Sequence, residues 1–181
     1  MQKKQTVLAV DLDHCLIDTD MVYLGLKQII LTKIYILPYL LYLRLFRGKT
    51  YAKKLLYKTT NFDVSKLPFN EDLIKYIQKE KDKYDHVILI SGSYYEYVKA
   101  IFDYYHIFDS YAGTDLDLNM ISLNKVKYLN QNFNNPVFDY IGDSIKDLPI
   151  WELSRRVLVV DHGNILRKIS HLKYEVISKR Y

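Results

Sequence analysis

Short runs of β-branched and aliphatic residues recur along the chain, and segments with helical periodicity separate them, as at residues 71–84 and 94–105. Runs that are apolar throughout are typical of parallel strands, which are buried on both faces of a sheet. The clear runs are residues 6–10, 87–90, 137–141 and 157–160. Residues 110–112 and 174–177 are weaker candidates, for which an irregular loop or edge fits equally well. The pattern predicts an α/β fold with a parallel sheet flanked by helices.

Residues 21–46 are apolar enough that a membrane-spanning helix has to be considered. Three cations interrupt the stretch, and its longest uncharged run is residues 34–43, ten residues that include Pro38. Spanning a bilayer takes roughly 20 residues. We therefore expect two amphipathic or buried helices hinged near Pro38, a break at residues 47–48, and a further helix over residues 50–58.

Charge separates residues 21–62 from the rest of the chain. This stretch holds no Asp or Glu and carries +8, against a net charge of +5 for all 181 residues. Its cations are Lys27, Lys33, Arg44, Arg47, Lys49, Lys53, Lys54 and Lys58. Such asymmetry indicates that this stretch faces a different partner from the rest, and anionic partners fit its charge.

Composition limits the class of protein. With 49% apolar and 26% charged residues, the chain reads as one soluble globular domain with a small insertion, which excludes collagen-like and wholly disordered proteins. Cys15 is the single cysteine, so no intramolecular disulfide can form and a reducing, cytoplasmic location is expected. The apolar run after the basic start is too short for a signal peptide, so no cleaved targeting segment is predicted.

Polar residues follow three of the predicted strands. Asp11 and Asp13 follow the first, Ser91 follows the second, and residues 142–147 follow the strand at 137–141. Because ligands bind at the carboxyl ends of parallel strands, one pocket could collect all of these groups. Clustered carboxylates need a counter-charge, and Mg²⁺ prefers oxygen ligands. Asp11 and Asp143 could supply carboxylates, the Asp13 backbone carbonyl a third ligand, and the Ser91 hydroxyl a contact to phosphate.

These residues resemble the four motifs of the haloacid dehalogenase (HAD) superfamily, in the family's order. Residues 11–16 (DLDHCL) resemble the first motif, Ser91 the second, Lys125 the third, and residues 142–147 (GDSIKD) the fourth. The resemblance implies a Rossmann-like core in which the motifs meet. Together the four are a strong signal, whereas any one of them is common by chance.

By that resemblance, Asp11 is the nucleophile that forms an aspartyl-phosphate, and Asp13 is the general acid and then the base. Asp11, Asp13 and Asp143 would hold Mg²⁺, and Asp147 would support them from behind. An acid/base carboxylate at Asp13 favours phosphate chemistry over dehalogenation.

The same resemblance assigns the phosphate contacts. Ser91 and the backbone at Gly92 would hold the transferring phosphoryl group, and Lys125 would neutralise its charge. Lys127 is an alternative candidate for that last role, but the spacing from Lys125 to the fourth motif favours Lys125.

Two positions depart from the family pattern, which usually has Gly and Thr where this chain has His14 and Cys15. His14 is interpreted either as a substrate contact at the entrance of the pocket or as a solvated loop residue. Cys15 is interpreted as a small buried apolar residue.

The spacing of the motifs locates an insertion. Asp13 and Ser91 are 78 positions apart, far more than a helical crossover needs. The resemblance therefore implies a small helical cap of the first type at residues 21–62, called the cap below, and a core domain formed by residues 1–20 and 63–181. The Leu-Pro pair at 37–38, the Arg-Gly-Lys at 47–49 and residues 67–71, 139–144 and 147–151 are also similar to HAD domains fused to UbiA-type prenyltransferases. This similarity implies a partner in prenyltransferase metabolism.

The combined expectation is a Mg²⁺-dependent phosphomonoester hydrolase that acts on a small-molecule phosphate ester, either prenyl-linked or a sugar phosphate. The cap has no carboxylate to pair with an ammonium group, so phosphoserine-like substrates fit poorly. The alternatives are a phosphotransferase or phosphomutase of the same superfamily, and a non-catalytic, membrane-associated binding protein. The basic, aromatic cap makes an anionic membrane surface a candidate partner. No motif indicates a nucleic-acid partner.

Overall fold

A parallel six-stranded sheet forms the centre of the protein in a computed structural model that describes residues 4–179. Residues 1–3 and 180–181, which the core-domain prediction includes, lie outside the described residues. The strand order is β3-β2-β1-β4-β5-β6. The strands are β1 (Thr6–Val10), β2 (His86–Tyr94), β3 (Ser110–Thr114), β4 (Val137–Gly142), β5 (Arg156–Asp161) and β6 (Tyr174–Lys179). All four clear strand predictions are confirmed, and so are the two weaker ones.

Helices connect the strands and cover the sheet. They are α1 (Met21–Thr32), α2 (Leu37–Tyr42), α3 (Lys49–Thr59), α4 (Glu71–Glu80), α5 (Tyr95–Tyr104), α6 (Leu123–Asn132), α7 (Leu148–Trp151) and α8 (Ile165–Lys168). The prediction of a helix from residue 71 is confirmed, since α4 begins there. The Asn70 side chain caps this helix by accepting a hydrogen bond from the Leu73 amide at 3.2 Å.

Strand β1 explains the apolar runs. Its side chains alternate, so that Leu8 and Val10 enter one hydrophobic cluster while Val7 and Ala9 enter another. All four are fully buried. The two clusters therefore lie on opposite faces of the sheet. Because β1 is covered on both faces, each of these four positions is buried and apolar.

Strand β2 is longer than predicted, because it continues through residues 91–93 to Tyr94. Ser91, Gly92 and Ser93 therefore belong to the strand instead of following it. Pairing with β3 becomes irregular between Ile90 and Tyr94, which marks a local bulge. Bulges of this kind redirect side chains at the end of a strand.

The hinge predicted near Pro38 is wrong. Helix α1 and the helical segment Ile34–Arg47 meet at 117°, and the bend falls at Lys33, where the backbone leaves helical geometry at φ −145°. Pro38 lies in the first turn of α2, where proline fits without breaking a helix. The predicted break at residues 47–48 is confirmed by Gly48, whose φ of 102° favours glycine.

Within residues 4–179, no single helix is both long enough and apolar enough to cross a membrane. Within the same residues, only the bent pair of Met21–Thr32 and Ile34–Arg47 has that length and hydropathy when its two parts are taken together.

The cap has a small core of its own, formed by Ile29, Leu40 and Leu56. Gly25 lets α1 approach α3 closely, because a Cβ atom there would lie 2.7 Å from the Leu56 Cγ. The division of the chain into a core domain and a cap stays a prediction.

Candidate active site

A cleft of about 720 Å³ lies where the carboxyl ends of the central strands meet the cap. Core segments after β1, along β2 and after β4 supply most of its polar groups, and the cap adds α1 and α3. The lining residues are Asp11, Asp13, His14, Asp20, Val22, Tyr23, Leu26, Lys53, Gly92, Ser93, Ile121, Ser122, Lys125, Asp143, Ser144, Lys146 and Asp147. The cleft thus brings together residues from three of the four predicted motifs and the two residues that follow Ser91, the second motif.

Asp11 directly follows β1, and both of its carboxylate oxygens are engaged. One accepts a hydrogen bond from the Leu12 amide at 2.8 Å, and the other lies 2.9 Å from the Lys125 ammonium. Burial raises the pKa of Asp11 to about 6, although the Lys125 charge opposes the rise. Asp11 is therefore a partly buried carboxylate held in one orientation next to a cation.

Lys125 lies in the first turn of α6 and points into the protein. Its ammonium donates a hydrogen bond to the Tyr140 hydroxyl at 2.7 Å, and that hydroxyl donates to Asp147 at 2.8 Å. Burial alone would lower the pKa of Lys125, but the charges of Asp11 and Asp147 outweigh it and hold that pKa above its usual value. Lys127, the rival candidate, is exposed on the same helix.

Asp13 faces a different set of donors from Asp11. One carboxylate oxygen accepts from the Ser93 hydroxyl at 2.6 Å and the Ser91 hydroxyl at 3.1 Å, and the other accepts from the Met21 amide at 2.9 Å. Burial first, and then the charge of Asp20, raises the pKa of Asp13. A raised pKa favours the protonated form that a general acid needs.

Ser91, predicted to hold phosphate, is fully buried behind the cleft. Its hydroxyl donates to Asp13 and accepts from the Ser93 amide at 3.0 Å, while Gly92 and Ser93 line the cleft itself. The phosphate-binding roles of Ser91 and Gly92 stay predictions. Sequence reasoning missed Ser93, although its place two positions after Ser91 on one strand puts both hydroxyls on the same face.

Three carboxylates form a group that could hold a metal ion. Ligand oxygens of Asp11, Asp143 and Asp147 lie within 4.8 Å of one another. An all-oxygen donor set suits a hard cation such as Mg²⁺. The Asp13 carboxylate is absent from this group among the described residues, and the predicted ligand role of its backbone carbonyl stays a prediction.

Asp147 is tightly positioned within that group. One of its oxygens accepts from the Tyr140 hydroxyl, and the other accepts from the amide and hydroxyl of Ser144 at 3.1 and 3.2 Å. The same oxygen lies 3.3 Å from the Asp143 amide. Asp147 therefore fixes the turn after β4 that carries Asp143. Its predicted role of supporting the metal ligands stays a prediction.

Lys53 is a cleft residue that sequence reasoning did not single out. It lies on α3 of the cap, and its ammonium reaches the Gly92 carbonyl, the Asn119 side chain at 2.7 Å and the Thr114 hydroxyl at 3.3 Å. Burial lowers the pKa of Lys53 to about 8, and the charge of Asp13 opposes this. The contact joins the cap to the strand that carries Ser91.

His14 and Cys15 occupy the turn that follows Asp13 within the first motif. His14 lines the cleft with φ of 55°, a conformation that glycine adopts at less cost, and it stacks on His162 at 5.2 Å. Cys15 is fully buried in the core, as predicted.

Comparison with known proteins supports the fold and leaves the sequence family open. No protein-family model matches the chain. One curated relative, the uncharacterized protein y4nM of Sinorhizobium fredii, is 28% identical over 118 residues, which are 65% of this chain. The match spans only 23% of that relative's length.

Solved structures with the same architecture include HAD hydrolases and phosphatases. The HAD family hydrolase t0658 of Salmonella enterica serovar Typhi matches with a TM-score of 0.63 and 14% identity over 98% of this chain and 67% of its own. A phosphoserine phosphatase, solved as a phospho-aspartyl intermediate analogue, matches with a TM-score of 0.56 and 12% identity over 96% of this chain and 93% of its own. The protein therefore has the Rossmann-like core of the HAD hydrolases, as predicted.

Proposed function

We propose that the protein is a Mg²⁺-dependent phosphomonoester hydrolase that acts through an aspartyl-phosphate on Asp11. The observation that carries the proposal is the pair of unlike carboxylates at the end of β1. Asp11 contacts a buried ammonium, whereas Asp13 contacts hydroxyl and amide donors, and both line the same cleft. Two carboxylates in different environments can divide the roles of nucleophile and acid.

In the first step, an Asp11 oxygen attacks the phosphorus atom and the bond to the leaving oxygen breaks. Asp13 donates its proton to that oxygen, so that an alcohol leaves. Lys125 neutralises charge on the phosphoryl group, and its contact with Tyr140 keeps the ammonium in place. The backbone at Gly92 and the Ser93 hydroxyl border the space for the phosphoryl oxygens.

In the second step, Asp13 takes a proton from water, the water oxygen attacks phosphorus, and the bond to Asp11 breaks to release phosphate. Asp11 and Asp143 would hold Mg²⁺, and Asp147 would orient them. When bound, the cation supplies charge neutralisation for the carboxylates and the phosphoryl oxygens.

The lining of the cap favours an ester whose leaving alcohol is apolar. This favours the prenyl-linked alternative over a sugar phosphate. A pocket of about 170 Å³ inside the cap shares Val22, Leu26 and Lys53 with the cleft. Most of its remaining lining is apolar, from Leu40, Ala52 and Leu56, with Arg44 and Lys49 beside them. A chain attached to a phosphate in the cleft would continue into this pocket.

Phosphate release from a panel of phosphomonoesters tests the activity, with Mg²⁺ or with chelator, in the natural protein and in Asp11→Asn. We expect turnover that requires both Mg²⁺ and Asp11. Full turnover in Asp11→Asn would refute the mechanism. Dominant transfer of phosphate to an added alcohol, in place of water, would instead identify the phosphotransferase alternative.

Alkyl phosphates of increasing length test the substrate class. We expect kcat/KM to rise with chain length in the natural protein. Ala52→Phe should fill the cap pocket and abolish that rise while leaving the shortest ester unaffected, because Ala52 lines the pocket and not the cleft. A length dependence that survives Ala52→Phe would exclude the pocket as the site of the chain.

A further inference from the structure

The helical segment Ile34–Arg47 of the cap is apolar almost all round, yet only one of its faces is covered. Leu40 and Leu43 face inward and are buried. Two neighbouring stripes at helical spacing face outward, namely Ile34, Leu41 and Leu45, and Tyr35, Tyr39, Tyr42 and Phe46. A helix that is apolar on every side normally has a partner on each.

The outward aromatic stripe is continuous. Tyr39 stacks on Tyr42 with ring centroids 6.2 Å apart, and Tyr42 stacks on Phe46 at 5.1 Å. Tyr35 and Phe46 remain 75% and 72% exposed. Contiguous apolar surface of this kind marks an interaction site, whereas single exposed apolar residues do not.

Helix α1 adds a second outward face with the same character. Tyr23, Lys27, Ile30 and Leu31 follow helical spacing on one side of α1, and Leu31 is 73% exposed. We call the exposed residues of α1 and of Ile34–Arg47 together the cap face. In the described core domain, fewer large apolar side chains are this exposed. One of them is Leu153, which is 57% exposed.

The charge of the cap favours an anionic partner for the cap face. Lys27, Arg44, Arg47, Lys49 and Lys58 are exposed on the cap, and residues 21–62 contain no carboxylate to offset them. A second copy of the chain would bring these cations against each other. An anionic lipid surface would pair with the cations while its acyl region received the aromatic and aliphatic side chains.

We infer that the cap face binds the surface of an anionic phospholipid bilayer, with its aromatic and aliphatic side chains in the interface and its cations against the headgroups. The inference does not depend on the proposed function, since binding is measured without turnover. It also suits an enzyme whose substrate carries an apolar chain, because the cap pocket lies beside the cap face.

Vesicle cosedimentation tests the inference. The probes are vesicles of phosphatidylcholine alone and vesicles that also contain phosphatidylserine. We expect binding to the anionic vesicles, weakened by salt. Each cation near an anionic surface contributes roughly fivefold to partitioning, so the double variant Lys27→Gln, Arg47→Gln should bind about 30-fold more weakly. Neither residue lines the cleft or the cap pocket.

Matched variants separate the cap face from general charge and hydrophobicity. Arg167→Gln with Lys168→Gln removes two exposed cations from α8 and should bind like the natural protein. Leu31→Gln with Phe46→Gln should also weaken binding to the anionic vesicles, whereas Leu153→Gln should not. Thermal melting confirms that each variant is folded, which we expect because these side chains are exposed.

Any of three results would overturn the inference. The first is equal binding to neutral and anionic vesicles, and the second is undiminished binding of the cap-face variants. The third is a failure to bind any vesicle. If that failure came with self-association that Leu31→Gln, Phe46→Gln abolishes in sedimentation velocity, a second copy of the chain would be what covers the cap face.

Discussion

Replacing Lys53 by methionine should stabilise the protein at neutral pH, although Lys53 makes three hydrogen bonds between the cap and the core. Methionine keeps the apolar stem and removes the buried ammonium. Two of the three acceptors keep a partner, because the Thr114 hydroxyl accepts from the Met120 amide at 3.1 Å and can donate its single hydrogen to the Gly92 carbonyl at 2.7 Å. The half-buried Asn119 side-chain oxygen loses its donor. The variant therefore tests the cost of burying the charge against the loss of a partner at one half-buried acceptor.

The magnitude follows from the pKa of Lys53. Burial lowers that pKa from its usual 10.5 to about 8, and the difference corresponds to at most about 3 kcal/mol. Because the folded-state pKa lies below the unfolded-state value, the charged lysine destabilises the fold fully below about pH 8. This cost disappears as the pH rises from about 8 towards 10.5, where Lys53 is neutral in both states.

Urea unfolding of Lys53→Met and the natural protein at pH 7 and pH 10 measures this effect. We expect the variant to be more stable at pH 7, by up to about 3 kcal/mol, and the difference to shrink at pH 10. Lys58→Met, an exposed position on the same helix, should change stability by less than about 0.5 kcal/mol. A Lys53→Met protein that is less stable at pH 7 would refute the reasoning, since the hydrogen bonds of Lys53 would then outweigh its burial.

Three further substitutions probe the packing and the site. Tyr140→Phe removes the hydroxyl that bridges the buried ammonium and carboxylate, and should lower the free energy of unfolding by about 1–3 kcal/mol in urea titrations. Gly25→Ala places a Cβ atom 2.7 Å from the Leu56 side chain, and should destabilise the cap by about 1–3 kcal/mol, seen as faster amide exchange in α1 and α3 than in the sheet. Gly142→Ala places a Cβ atom 2.8 Å from an Asp147 oxygen, and should weaken Mg²⁺ binding by at least about tenfold in calorimetric titration. Unchanged values in any of the three would contradict the corresponding contact.

The sheet could be predicted from the sequence because strands buried on both faces leave a direct trace. Every position of residues 7–10 is fully buried, so every position is apolar. The weaker strands were predicted at residues 110–112 and 174–177 with a loop or edge equally open, because few of their positions are both buried and apolar. The end of β2 could not be predicted, because residues 91–93 are small and polar and read as a turn.

The cap bends at Lys33 and not near Pro38, because the effect of a proline depends on its position in the helix. In the first turn of a helix, proline removes no hydrogen bond, so Pro38 begins α2 and does not bend it. The bend at Lys33 leaves little trace in the sequence, since lysine is a good helix former. Tertiary contacts, such as the hydrogen bond from the Lys33 ammonium to the Thr59 carbonyl at 2.7 Å, accompany it.

The candidate site was predicted where motifs carry it and missed where the fold alone assembles it. Asp11, Asp13, Lys125 and Asp143 were named from their motifs, and they line one cleft. Tyr140 and Lys53 were not predicted as site residues, because a tyrosine in a strand and a lysine on a basic helix have no distinguishing pattern. Their roles depend on contacts across large sequence separations, 61 positions between Lys53 and Thr114 for example.

Chemical trapping of the phosphorylated enzyme tests the central claim most directly. The protein is mixed with Mg²⁺ and a phosphate ester that it hydrolyses, and the mixture is then quenched in acid. Reduction with borohydride converts an acyl phosphate of aspartate to homoserine. We predict homoserine at position 11 by peptide mass spectrometry, and none when substrate or Mg²⁺ is omitted. Sustained turnover with no modification at Asp11, or with the modification at another carboxylate, would contradict the account.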